Sequence, residues 1–194
     1  MSVFIHKTAD VSKDAKIGAG TKIWNQAQVR EKATIGKNSI IGKSSYIDIN
    51  VIIGNNVKIQ NFVSVYDGVT IEDNVFIGPG VIFTNDLYPR AASTEREWSK
   101  TLVKEGASIA AGTIIICENT LGKHCMIGAG SVVTKEVPDY GLAYGNPAKL
   151  KGFVCECGHK LTEIVNKNNL NVLYKCTHCS KEIKIPVDVF NKII

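Results

Sequence analysis

Four cysteines late in the chain have the type and spacing to hold a metal ion. Cys155 and Cys157 stand in Cys-Glu-Cys-Gly-His, and Cys176 and Cys179 in Cys-Thr-His-Cys. Two reduced cysteine pairs with 18 residues between them read as a zinc ribbon. Four thiolates close a tetrahedral structural site and leave no position open for catalysis. The first pair departs from the usual two-residue gap, because Glu156 alone separates its cysteines; His159 can substitute for one ligand. The alternative is a decayed ribbon with free thiols. Residues 151–194 hold few core side chains, so metal would supply much of the segment's folding energy. Cys117 and Cys125 lack a nearby His–carboxylate arrangement and read as structural.

Composition narrows the function classes. The net charge is +5 with no long basic run, so no nucleic-acid partner is expected. Apolar runs such as Ile114-Ile115-Ile116-Cys117 are far too short to span a membrane. The N-terminal Met-Ser-Val-Phe-Ile-His-Lys is unlike a signal peptide. The expectation is a cytoplasmic protein whose thiols stay reduced.

The elements that must position any site follow from a period of six. Counting from Ile5, the run is Ile5, Val11, Ile17, Ile23, Val29, Ile35, Ile41, Ile47, Ile53, Ile59, Val65, Ile71, Ile77 and Phe83. It breaks across residues 84–102 and resumes at Val103, Ile109, Ile115, Leu121, Ile127 and Val133. A helix would space apolar residues by three and four. A period of six suits a short strand plus a corner, repeated. The next residue is often glycine, as at Gly18, Gly36, Gly54 and Gly128, which tolerates positive φ and close backbone approach. Four places after each apolar residue stand small or β-branched residues, Ala27 to Ser45 and then Val51 to Val81. Both positions can point inward, and each buried aliphatic side chain contributes roughly 1.5–3 kcal/mol.

These hexads resemble the hexapeptide-repeat transferases; Ile127-Gly-Ala-Gly-Ser-Val and Ile17-Gly-Ala-Gly-Thr-Lys match the motif closely. The resemblance covers residues 5 to about 150. It implies an all-β chain: a left-handed parallel β-helix over residues 1–150, three hexads per coil, with a zinc-ribbon-like appendage over 151–194. Handedness comes from the family and runs against the usual right-handed crossover. Family members are usually homotrimers with active sites in the clefts between subunits.

Residues 84–102 interrupt the solenoid, and a long insertion there is usually functional or disordered. Tyr88, Arg90 and Trp98 are unlike a disordered tract. The stretch from Gln60 through Phe83-Thr-Asn-Asp to Pro89-Arg90 is similar to nucleotide-sugar N-acetyltransferases, especially those acetylating the 3-amino group of a UDP-linked diaminoglucuronate in surface-polysaccharide (lipopolysaccharide) biosynthesis. Enzymes for dTDP-linked 3-amino-3,6-dideoxyhexoses are similar too. By that resemblance Asn85 and Arg90 belong to the acceptor site: Asn85 offers a donor and an acceptor, and Arg90 a bidentate grip on a carboxylate or diphosphate. Tyr66, Asp67, Glu72 and Asp73 precede the loop by about one coil and can line the same cleft. The bland readings are a turn asparagine, a solvated arginine and solvated corner carboxylates.

The order Gly106-Ala-Ser-Ile-Ala-Ala-Gly-Thr, then Ile127 to Pro138, then Tyr144-Gly-Asn-Pro-Ala-Lys resembles the acetyl-CoA end of such enzymes. Ala111 and Ala129 stand where amides meet the pantetheine arm. Asn146 and Pro147 form the characteristic turn, and Lys135, Lys149 and Lys151 can meet CoA phosphates as point charges. The reaction is attack by an acceptor on a thioester. A hydroxyl acceptor needs a general base, and the insertion holds no histidine. Of His6, His124, His159 and His178, only His124 is a reasonable base candidate. A sugar amine has less need of one, which favours N-acetylation by positioning and electrostatics. A γ-class carbonic anhydrase would need three histidines around a metal, and a non-catalytic β-helix would not need the Asn146-Pro147 turn.

Overall fold

The computed structural model describes residues 2–92 and 98–193. Twenty strands of two or three residues run from Phe4 to Val133. Each pairs in parallel with the strand one coil away, so Lys22 lies beside Phe4 and Ile40, and Lys58 beside Ile40 and Phe76. Three hexads make one coil of 18 residues. The coils stack into three parallel sheets, of seven, seven and six strands, the first extended to nine by the terminal hairpin, giving the expected β-helix a triangular section.

Both inward positions of the hexad are buried. Ile41, Ile59 and Ile77, and equally Val57, Val63 and Val75, are 1% exposed or less. Ile5, in the terminal coil with a neighbour on one side only, is 45% exposed. Hydroxyls at the inward position mostly donate to a carbonyl of the next coil, Thr101 Oγ1 at the foot of the insertion being a buried exception without a partner among the described residues. Thr21 Oγ1 donates to the Gly36 carbonyl at 2.7 Å, and Ser39 and Ser45 do the same to Gly54 and Gln60 at 3.0 and 2.9 Å.

The two demands expected of the corner glycines separate in space. Gly36 is needed for close approach, because a Cβ there would fall 2.5 Å from the Gly54 carbonyl. Positive φ instead appears two residues later, at Asn38 (56°), Asn56 (55°) and Asn74 (60°), residue types that tolerate it. The backbone N–H of Asn38 then donates to Ala19 O at 3.0 Å, one coil below.

The insertion leaves the coil after Phe83. The solenoid resumes earlier than Val103, as the strand Thr101–Val103 beside Val69–Ile71. Its base is closed by Ser99 N donating to Asn85 O at 3.0 Å. At the far end the antiparallel hairpin Gly141–Gly145 and Ala148–Phe153 joins the first sheet, with Leu142 beside Met126. Its second strand runs straight across residue 150. Beyond it lies a three-stranded antiparallel sheet, Glu163–Lys167, Asn171–Lys175 and Glu182–Pro186, then a short helix Val187–Phe190. Phe153, Leu161, Val172, Tyr174, Ile183 and Ile185 form a second apolar cluster there, separate from the solenoid core. Among the described residues no helix is long and apolar enough to cross a membrane.

Ile59 and Lys58 share one strand but face opposite ways. Ile59→Ala should cost about 2–5 kcal/mol, and Lys58→Ala no more than about 0.5 kcal/mol. Urea unfolding at fixed protein concentration reads both; equal losses would contradict the inward register.

Candidate functional site

The register sorts the sequence candidates onto the three corners of the coil. Tyr66 and Asp67 follow the strand Ser64–Val65, and Thr84 and Asn85 follow its partner Ile82–Phe83. Cys117 follows Ile114–Ile115, and Lys135 follows Val132–Val133. Asp67, Asn85, Cys117 and Lys135 therefore occupy successive levels of one corner, from which the insertion bearing Arg90 emerges. Glu72, Asp73 and His124 lie at the second corner. Ala111, Ala129 and the turn holding Asn146 and Pro147 lie at the third.

At the first corner Tyr66 packs on Tyr46 with ring centroids 5.6 Å apart. Asp67 Oδ2 accepts from Asn50 Nδ2 at 3.3 Å. Below them is a polar column that no motif announced. Tyr46 donates to Asp48 Oδ1 at 2.8 Å, and Arg30 donates to the Tyr46 hydroxyl at 3.3 Å. Burial, then the hydrogen bond to Asp48, raises the Tyr46 phenol above its ordinary range, so it stays a neutral donor. Arg90 is exposed, with Nη1 donating to the Pro89 carbonyl at 2.8 Å. Ser99 donates to Glu118 at 2.9 Å and ties the insertion to the next coil.

The second-corner carboxylates are engaged by the scaffold. Asp73 Oδ1 accepts from Asn55 N at 2.7 Å, which holds its carboxyl below the usual range. Glu72 accepts from Glu105 N at 2.8 Å. His124 is half-buried, stacks on Tyr140 at 5.5 Å and lies over Gly106. Tyr140 in turn donates to Glu156 at 3.4 Å, and Glu156 pairs with Lys181. Cys125 is fully buried, and burial pushes its thiol up to about 12, so it is inert as a nucleophile.

Two clefts flank Lys135. One, of about 450 Å³, is lined by Leu87 of the insertion, Ile116–Asn119 and Thr134–Glu136. The other, of about 220 Å³, lies between Thr134–Pro138 and the hairpin, with Pro147, Lys149 and Lys192 on its rim. Lys192 lies far beyond Val133, the last apolar position of the repeat, and no pattern pointed to it. Lys151 is half-buried on the hairpin, outside the lining of this cleft.

The four ribbon cysteines converge, with all Sγ atoms within 4.8 Å of one another. Cys155 and Cys179 are 3.5 Å apart, and Cys157 and Cys176 3.6 Å. Tetrahedral thiolates about 2.3 Å from Zn²⁺ lie about 3.8 Å apart, so the set fits that ion. Amides of Cys179 and His178 draw the Cys176 thiol down to about 6, whereas burial pushes Cys155 up to about 12. His159 Nδ1 lies 3.5 Å from Cys157, and its ring stacks on His178 at 3.8 Å.

Comparison with known proteins places this geometry among relatives. Residues 3–48 and 50–85 match the family described as bacterial transferase hexapeptide (six repeats). Residues 32–67 and 119–135 match the hexapeptide repeat of succinyl-transferase. Over 97 residues the chain is 43% identical to the dTDP-3-amino-3,6-dideoxy-α-D-galactopyranose 3-N-acetyltransferase of Aneurinibacillus thermoaerophilus, which is 50% of this chain and 47% of that protein. It is 32% identical over 78 residues to a galactoside O-acetyltransferase of Lactococcus lactis, 38% of each chain. The chain thus spans at most about half the length of these curated relatives. The acetyltransferase domain of PglB from Neisseria gonorrhoeae, solved with acetyl coenzyme A, shares the fold at 24% identity and a TM-score of 0.50, over 76% of this chain and 57% of that one.

A four-thiolate site makes a specific demand on metal content. The zinc-loaded protein should carry one ion per chain by elemental analysis. Cys176→Ser should lose it and lower the thermal transition, while His159→Ala should retain it. Loss of metal from His159→Ala would assign a Cys₃His set instead.

Proposed function

The chain belongs to the bacterial hexapeptide-repeat transferases, and from that premise we propose that it is an acetyl-CoA-dependent N-acetyltransferase acting on the amine of a nucleotide-linked sugar. The observation that carries this reading is the 43% identity over 97 residues to a dTDP-amino-sugar N-acetyltransferase. The acceptor is a 3-amino sugar, either UDP-linked diaminoglucuronate, as the stretch from Gln60 to Arg90 resembles, or a dTDP-linked 3-amino-3,6-dideoxyhexose, which that relative favours. The protein acts in the cytoplasm as a homotrimer, and structural zinc holds its appendage. Trimerisation brings a first corner of one subunit against another corner of its neighbour, which would reunite candidates that lie apart in one chain.

The residues divide the work as follows. Asn85 hydrogen-bonds the sugar from the base of the insertion, and Arg90 pairs with its carboxylate or diphosphate. Tyr66 and Asp67, one coil below, complete that side. Acetyl-CoA lies along the column of Ala111 and Ala129 up to the Asn146-Pro147 turn, with Lys135 and Lys149 near its phosphates. The neutral sugar amine attacks the thioester carbonyl, the tetrahedral oxyanion collapses, and CoA leaves as the thiol. The amine proton goes to solvent or to the departing sulfur. His124 is not needed as a base, because a neutral sugar amine is itself nucleophilic. Positioning of amine and thioester supplies the rate.

Acetyl-CoA turnover, read as free thiol against UDP- and dTDP-linked amino sugars and their hydroxyl counterparts, tests the reading. One 3-amino sugar should turn over and its hydroxyl analogue should not; silence across the panel would sink it. With the active sugar, Arg90→Ala should raise KM for the acceptor about tenfold or more. His124→Ala should keep kcat within about threefold. A much larger fall, in an enzyme that still binds both substrates, would restore His124 as the base.

A further inference from the structure

Lys192 lies far from the repeats in sequence yet completes the rim of the smaller cleft. Its floor is apolar, made by Val137, Pro138, Ala143, Pro147 and Leu150. Around it stand three ammonium groups, Lys135, Lys149 and Lys192, against one carboxylate, Glu136. An apolar floor under a surplus of positive charge suits a flat purine carrying phosphates. The Gly145–Pro147 turn, at the head of the Ala111 and Ala129 column, opens beside this cleft.

The appendage holds Lys192 in place. It follows the helix Val187–Phe190, whose Val187, Val189 and Phe190 pack on the second apolar cluster. That cluster includes Cys155 and Cys176, and Leu150 packs against it while also lining the cleft. The cysteine cluster and the cleft therefore share a wall.

We infer that the C-terminal appendage completes the acetyl-donor site, with Lys192, Lys135 and Lys149 gripping the phosphoadenosine end of CoA. The inference rests on the acetyltransferase reading above. It gives the appendage a binding role in addition to folding, because the cluster on which the helix Val187–Phe190 packs also sets the position of Lys192.

Equilibrium titration of the intact zinc-loaded chain with CoA, and with adenosine 3′,5′-bisphosphate as competitor, decides it. Wild type should bind both at one site. Lys192→Ala should weaken both about three- to tenfold, Lys192→Arg should restore binding, and Lys184→Ala, which removes another exposed charge on the appendage, should change neither. Unaltered binding by Lys192→Ala, or CoA binding with which the bisphosphate does not compete, would overturn the inference. Failure of wild type to bind CoA at all would instead overturn the acetyl-donor reading on which it stands.

Discussion

Each coil is fastened to the next by main-chain hydrogen bonds parallel to the axis, in a single register. Gly36 N donates to Ile53 O and Gly54 N to Ile71 O, both at 2.8 Å. A slip of one residue would turn every inward isoleucine toward water and every outward lysine into the core. The inward stack of Ile23, Ile41, Ile59, Ile77, Ile109 and Ile127 fixes that register. The corners, and so every candidate side chain on them, inherit their height along the axis from it.

The regular scaffold is interrupted at two places, the insertion after Phe83 and the hairpin that ends the solenoid. At the second corner Asp73 and Glu72 each accept a backbone N–H from a neighbouring coil while lining an open cleft. Polar side chains are also available where the repeat is broken. Lys135 stands between these two breaks and lines a cleft on either side.

The appendage shows the opposite economy. It has a small apolar cluster of its own and four convergent thiols where the solenoid has a long aliphatic stack. A closed four-thiolate site suits a segment too small to order itself by burial alone. Its contacts with the solenoid run through His124, Tyr140 and Glu156 on one side and Leu150 on the other.

Sequence alone determined the period, the inward residues, the place of the interruption and the two cysteine pairs. These are local or strictly periodic signals, since a six-residue strand-and-corner unit repeats its own pattern. The start of the strand at Thr101 was not legible, because a strand after an irregular loop is recognised by its partner, here Val69–Ile71. Nor could the sequence divide the corner glycines from the positive-φ positions at Asn38 and Asn56. Tertiary structure decided which candidates share a corner, how Asp73 is engaged, and that Lys192 lines the same cleft as Lys149. Those facts depend on how an 18-residue coil stacks and where a non-repeating segment folds back, and no local spacing encodes either.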